Sequence, residues 1–176
     1  MDRVDVPSTA TVNARGIPRA PFIDDATIAA TVDVEQPLAG MQEMLSKYRF
    51  MESNTSQKQL SLEGKIPELA KTLETLELLQ ASTDIDTTFE LSDTLYAHAS
   101  VPATSKVMLW LGANVMLEYT TDEAQRLIED KLRSAERSLA EAREDLDWLR
   151  DQTTVTEVNI ARLHNHGVLL KRNART

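Results

Sequence analysis

The sequence predicts an α+β chain: a long antiparallel two-helix coiled coil whose helices are joined by two β-hairpins. Three observations predict it. Two long segments carry apolar residues at alternating three- and four-residue spacing, the coiled-coil signature. A block of about forty residues between them changes to a strand-like period of two, as expected for half-buried strands. Aromatics make up 5% of the 176 residues and there are five glycines, which fits a thin seam-packed structure better than one large core.

The elements follow in order. Residues 1–34 hold Pro7, Gly16, Pro18 and Pro21 among small polar residues with no sustained period, so a mobile N-terminal arm is expected. The first helix is expected over 35–81, with Leu38, Met41, Leu45, Tyr48, Leu62, Ile66, Leu69, Leu73 and Leu76 on its seam. A helix of that length would extend roughly 70 Å at about 1.5 Å per residue. Pro67 removes one backbone bond and crowds the preceding turn, but the heptad register continues through Ile66 and Leu69, so a kink without a break is expected.

Residues 84–119 are expected to form the two hairpins. Phe89 and Leu91 precede a Ser92-Asp93 turn, Leu95 to Val101 return, and Pro102 ends the strand. The run from Lys106 to Tyr119 folds about Gly112-Ala113-Asn114, residue types that tolerate the positive φ of a tight hairpin. Val107, Leu109 and Leu111 then share one face and Met108 and Trp110 the other. Both faces are apolar, and one chain of this design cannot cover both, so association with other subunits is expected.

Thr120 and Glu123 have the spacing of a capping box, opening a second helix over 121–166 with Gly167 as its C-terminal cap and a tail at 168–176. Its seam is Ile128, Leu132, Ala135, Leu139, Ala142, Leu146, Leu149, Ile160 and Leu163. Closing the hairpin about the strand block sets Ala81 beside Asp122, Ile66 near Arg137 and Met41 near Arg162.

Composition excludes several classes of function. A net charge of −9 argues against nucleic acid as a partner. No cysteine is present, so there is no disulfide framework and no thiol nucleophile. No apolar run suits a membrane span or a secretory signal, and the cytoplasm is the expected location, with the nucleus left open. His164 and His166 lie two apart, off a common helix face, and no metal is expected. His98 has no nucleophile beside it. Glu141, Glu144, Asp145, Asp147 and Asp151 interleave with Arg143 and Arg150 as on a solvated helix surface. No phosphate loop, no cofactor and no catalytic residue is expected. Trp148 falls beside the seam without an assigned role.

Polar residues interrupt the seams at Glu52, Thr55 and Gln59 and at Thr153 and Thr156. Two readings stand: they fix the register, or they weaken the seam toward its open end. In the second reading Leu38, Met41, Met44, Leu45, Tyr48, Ile160, Leu163, Val168, Leu169 and Leu170 form a client-binding tip, where methionine suits varied partners.

Several segments resemble the prefoldin family, specifically its α-class subunits: KYRFME at 47–52, GKIPE at 64–68, LSDTLYAHASVP at 91–102, KVMLWLGANVMLEY at 106–119, DEA at 122–124, and EDLDWLRDQ and TEVNIAR within 144–162. The piece LWLGANVMLEY is the most specific, because α-class subunits have two hairpins and β-class subunits one. The resemblance implies a hexamer of two α-class and four β-class subunits whose hairpins oligomerise into a β-barrel platform. It implies an ATP-independent co-chaperone that binds unfolded actin and tubulin and delivers them to the cytosolic group II chaperonin. On this sequence the platform role falls on Phe89, Leu91, Leu95, Val107, Leu109, Leu111, Val115, Leu117 and Tyr119. The rival reading is a tethering coiled-coil scaffold without client-holding activity. An enzyme is the remotest class, since no constellation of convergent polar groups is present.

Overall fold

The computed structural model describes residues 12–81 and 83–173. It contains three helices and four strands in the order α1 (Asp25–Ala30), α2 (Glu35–Gln80), β1 (Ile85–Ser92), β2 (Leu95–Val101), β3 (Lys106–Gly112), β4 (Val115–Thr120) and α3 (Thr121–Asn173). The chain divides into two compact units, one of Ser61–Leu139 and the other of the residues up to Leu60 and from Ala140 onward.

The heptad seams pack as the spacing requires. Leu76 and Ile128 are buried in the hairpin-bearing unit, and Tyr48, Ala142, Leu146, Leu149 and Leu163 in the other, while the remaining seam residues are half-buried. The antiparallel register is as expected. Gln80 donates to Asp122 at 3.2 Å in the first unit. In the second unit Glu52 pairs with Arg150 at 3.7 Å, Arg49 with Glu157 at 2.7 Å and Glu35 with Lys171 at 3.5 Å. Partners on α3 fall in number as those on α2 rise. These pairs are exposed and mark register more than they stabilise.

Helix α2 runs unbroken through Pro67 over 46 residues. Gly64 stands one turn earlier, and a methyl group there would meet nothing within 4 Å. Gly64→Ala therefore removes the backbone-entropy cost of a helical glycine without a clash, and is expected to stabilise by about 0.8–1 kcal/mol. A chain of this size should show this as a rise of roughly 2–4 °C in thermal midpoint by circular dichroism. An unchanged or lower midpoint would mean that the glycine is needed for the helix to bend.

The far end of α3 corrects an expectation. Gly167 does not cap the helix, which continues to Asn173 with Lys171 and Arg172 in the last turn, opposite the negative end of the dipole. A Cβ at Gly167 would lie 3.3 Å from Cγ1 of Val34, so glycine here admits a close neighbour and does not turn the chain.

The two hairpins are separate two-stranded antiparallel sheets. The second turns at Ala113 and Asn114, both at positive φ (48° and 60°), with Gly112 at 97° absorbing the register shift beside the turn. The first turns at Asp93 and Thr94, one residue beyond the expected Ser92-Asp93 signal. At its base the Asp84 carboxylate accepts from the Ala103 amide at 3.0 Å.

The largest departure is at the N-terminus. Of the expected mobile arm, residues 12–34 are ordered against α3, and residues 1–11 lie outside the described residues. Val12 bridges Pro18 around a turn in which Gly16 sits at φ 84° and the Asn13 side chain accepts from the amides of Arg15 and Ile17. An extended stretch follows, then α1, capped by Asp24 accepting from the Thr27 amide at 2.8 Å. We call residues 12–34 the strap.

Candidate functional site

Register in the second hairpin decides which apolar face is which. Directly opposed residues of an antiparallel pair share a face. Val107 pairs with Tyr119 and Leu109 with Leu117, while Met108 pairs with Glu118 and Trp110 with Met116. Val107, Leu109 and Tyr119 pack on Leu76, Ala124 and Ile128, with Leu69 and Leu73 alongside. The other face is open: Trp110 is 57% exposed and Met116 50%. Three residues assigned to the platform, Val107, Leu109 and Tyr119, thus anchor the hairpin to its own helices, because that side of the sheet faces the seam. Phe89, Leu91, Leu95, Leu111 and Val115 are exposed, and so is Leu117, although it shares the Leu109 face nearer the turn. Met108, Trp110, Met116 and Tyr96 are equally exposed apolar residues of the hairpins. Alternation revealed two apolar faces, but only the position of Leu76 and Ile128 shows which one is covered.

Each strand of a two-stranded sheet keeps one open edge, so both hairpins present unpaired ladder groups as well as apolar side chains. On the open face Lys106 and Glu118 form an ion pair at 2.6 Å, which holds the ammonium above its ordinary pKa. The sheet is joined to α3 through the expected capping box. The Glu123 amide donates to Thr120 Oγ1 at 3.3 Å, and the Glu123 carboxylate accepts from the Thr120 amide at 3.1 Å and hydroxyl at 2.9 Å. These bonds to Thr120 lower the Glu123 pKa below the ordinary carboxylate value. A carboxylate depressed in the folded state stabilises at pH values above its unfolded pKa, and that contribution is lost as pH falls through the folded pKa. Glu123→Gln is therefore expected to lower the thermal midpoint at neutral pH, with wild type and variant converging in the acid range. A gap that persists at low pH would contradict the charge-based account.

The strap forms a second surface with α3. Asp145, Gln152, Asn159 and His166 recur every seven residues and lie on one helix face, and each meets the strap. Asp145 accepts from Asn13 at 2.7 Å and from Arg15 Nε at 2.6 Å, with Glu144 accepting from the same guanidinium; the Asp145 bond leads in raising the Arg15 pKa. Gln152 accepts from the Ala20 amide at 3.0 Å. Asn159 accepts from the Ile23 amide at 3.1 Å and donates to the Pro21 carbonyl at 2.7 Å. A ring nitrogen of His166 lies 3.1 Å from the Thr31 carbonyl. Arg162 donates to the Ile23 carbonyl, pairs with Asp25 and lies 4.7 Å from the centroid of the Phe22 ring. From α2, Tyr48 donates its hydroxyl to the Pro18 carbonyl at 3.1 Å, and burial raises its pKa. Ala20, Tyr48 and Leu149 share one apolar cluster with Ile17, Met44, Met51 and Val155 around it.

Spacing explains the match. Seven helical residues advance about 10.5 Å. Three extended residues cover about 10 Å, so Ala20 to Ile23 keeps step with Gln152 to Asn159. From Ile23 to Thr31 the strap coils into α1, and eight residues again cover one heptad.

Two buried polar residues of α3 lie outside the polar seam positions that the sequence singles out. Gln152 and Asn159 are buried because they satisfy strap backbone groups. Thr156 donates to the Gln152 carbonyl within the helix, while Thr153 has a buried hydroxyl oxygen without a hydrogen-bond partner. The expected tip is correspondingly divided. Tyr48 and Leu163 are buried; Leu38, Met41, Met44, Leu45, Ile160 and Leu170 are half-buried; Val168 and Leu169 are exposed. Among the described residues no helix is long and apolar enough to cross a membrane, and no group of three or more acidic, His or Cys side chains is placed to hold a metal.

Paired hairpins with open edges and an uncovered apolar face, carried on an antiparallel helix pair, define a subunit of an oligomer. The chain belongs to the prefoldin family, whose profile, described as Prefoldin subunit, matches residues 48–166. It is 49% identical over 171 residues to prefoldin subunit 3 of Elsinoe fawcettii, covering 94% of this chain and 87% of that protein. It is 47% identical over 171 residues to prefoldin subunit 3 of Homo sapiens, covering 90% and 87% respectively. Filamentous PFD from Methanocaldococcus jannaschii, solved by cryo-EM, matches the fold with a TM-score of 0.52 at 19% identity, covering 62% of this chain and 92% of that one. The chain is thus a subunit of a prefoldin chaperone complex and assembles with other prefoldin subunits.

Proposed function

We propose that the chain is one of two α-class subunits in a cytoplasmic hexamer with four β-class subunits. In this reading the complex holds unfolded polypeptides such as actin and tubulin without ATP and passes them to the cytosolic group II chaperonin. The observation that carries the reading is the open apolar hairpin face, where Trp110 is 57% and Met116 50% exposed, in a chain of the prefoldin family. That face serves assembly, and Val168 and Leu169, exposed near the end of α3, serve client contact.

The test is suppression of aggregation. The complex is reconstituted with its partner subunits and mixed with actin diluted from denaturant, without nucleotide, and light scattering is followed. Suppression at stoichiometric complex, followed by recovery of native actin when chaperonin and ATP are added, is expected. Full assembly with undiminished scattering would instead make the chain a tethering scaffold.

A further inference from the structure

We propose that the polar stripe of α3 is a binding surface for extended polypeptide backbone, and that the strap occupies it in cis as an intramolecular stand-in for an unfolded client. The proposal rests on the holdase reading and locates a site for it. Three observations carry it. The hydrogen bonds that Gln152, Asn159 and Tyr48 make with the strap all go to main-chain groups: the Ala20 and Ile23 amides and the Pro18 and Pro21 carbonyls. Such groups are present in any polypeptide, so Gln152 and Asn159 read extended conformation and not sequence, while Asp145 at the near end of the stripe bonds the side chains of Asn13 and Arg15. The strap between Pro18 and Ile23 forms neither helix nor sheet ladder, which leaves its backbone dependent on these side chains, as a bound peptide's is. Finally, of the side chains at its centre only Ala20 is buried, in the apolar cluster, while Pro21 and Ile23 are half-buried and Phe22 is 65% exposed beside Arg162. A segment of different sequence that keeps a small residue at the Ala20 position could therefore lie in the same track.

A tethered occupant competes at a high effective concentration, of millimolar order for a short connection, so a client must displace it. The experiment measures binding of a fluorescent, reduced and carboxymethylated polypeptide, which stays unfolded, to the reconstituted complex by anisotropy. Deleting residues 1–31 is expected to tighten binding at least about tenfold, and Gln152→Ala with Asn159→Ala in the deleted chain is expected to abolish that gain. Because the chain has no cysteine, a second variant locks the strap: Arg15→Cys with Glu144→Cys, joined by a short bismaleimide across the observed 3.1 Å ion pair. Locking is expected to weaken binding at least about tenfold relative to the same variant before cross-linking, and this comparison decides the matter if the deleted chain does not assemble. Equal affinity before and after locking would overturn the proposal and make the strap a fixed structural element, leaving the holdase reading intact. Failure of the unfolded polypeptide to bind any form, in a complex that has assembled, would overturn the holdase reading and the proposal together.

Discussion

Trp110→Asp combined with Met116→Asp is expected to abolish incorporation of the chain into its complex while leaving its own fold in place. The two residues oppose each other across β3 and β4 on the open face. Covering a Trp and a Met in an interface contributes about 1.5–3 kcal/mol each, and burying two unpaired carboxylates in their place costs several more. A net loss above roughly 5 kcal/mol corresponds to more than about a thousandfold in affinity. Size exclusion of the variant with its partner subunits should show it eluting apart from them, with unchanged helical circular dichroism. Leu109→Asp provides the contrast. Leu109 packs against the Leu76, Ala124 and Ile128 cluster, so that variant should lose thermal stability as a free chain. Normal assembly of the Trp110, Met116 double variant would remove the open face from the interface.

The second large effect is expected at Asn159. Its side chain satisfies the Ile23 amide and the Pro21 carbonyl together, and Asn159→Leu leaves both without a partner unless the strap lifts off. Two such bonds contribute about 2–3 kcal/mol in total. The open form of the strap should therefore be populated roughly thirty- to a hundred-and-fiftyfold more. Native-state trypsin digestion reads that population directly when opening is fast, since Arg15 and Arg19 lie in the docked segment. Cleavage there should accelerate by that factor, whereas Asn165→Leu, at an exposed position of the same helix, should leave the rate unchanged. An unaltered rate in Asn159→Leu would mean that the apolar contacts of Ile17 and Ala20 hold the strap by themselves.

Both predictions turn on positions whose significance was only half legible in the sequence. Period-two alternation from Val107 to Leu111 placed Trp110 opposite Leu109, yet alternation is symmetric and cannot say which face a helix will cover. Asp145, Gln152, Asn159 and His166 do form a seven-residue series. On a helix as charged as α3 such a series looks like ordinary solvated surface, and its partner, an extended strap rich in proline, carries no period to announce itself. Gly167 was misread for a related reason. Glycine near a helix end usually signals a left-handed cap, and only the approach of Val34 shows that the missing Cβ was needed elsewhere.

What the sequence determined by itself is whatever depends on neighbours along the chain: the two heptad seams and their antiparallel register, the capping box of Thr120 and Glu123, and the turn at Ala113 and Asn114. The seams, the capping box and the turn follow from local periodicity, propensity or backbone conformation, and the register follows from closing two seams of similar length about the short strand block. Tertiary structure alone decided which hairpin face is free and that the strap lies along α3. The first depends on which side of the sheet meets Leu76 and Ile128, and the second on surfaces that meet across more than a hundred residues, as Ala20 meets Gln152, through backbone amides and carbonyls that every sequence shares.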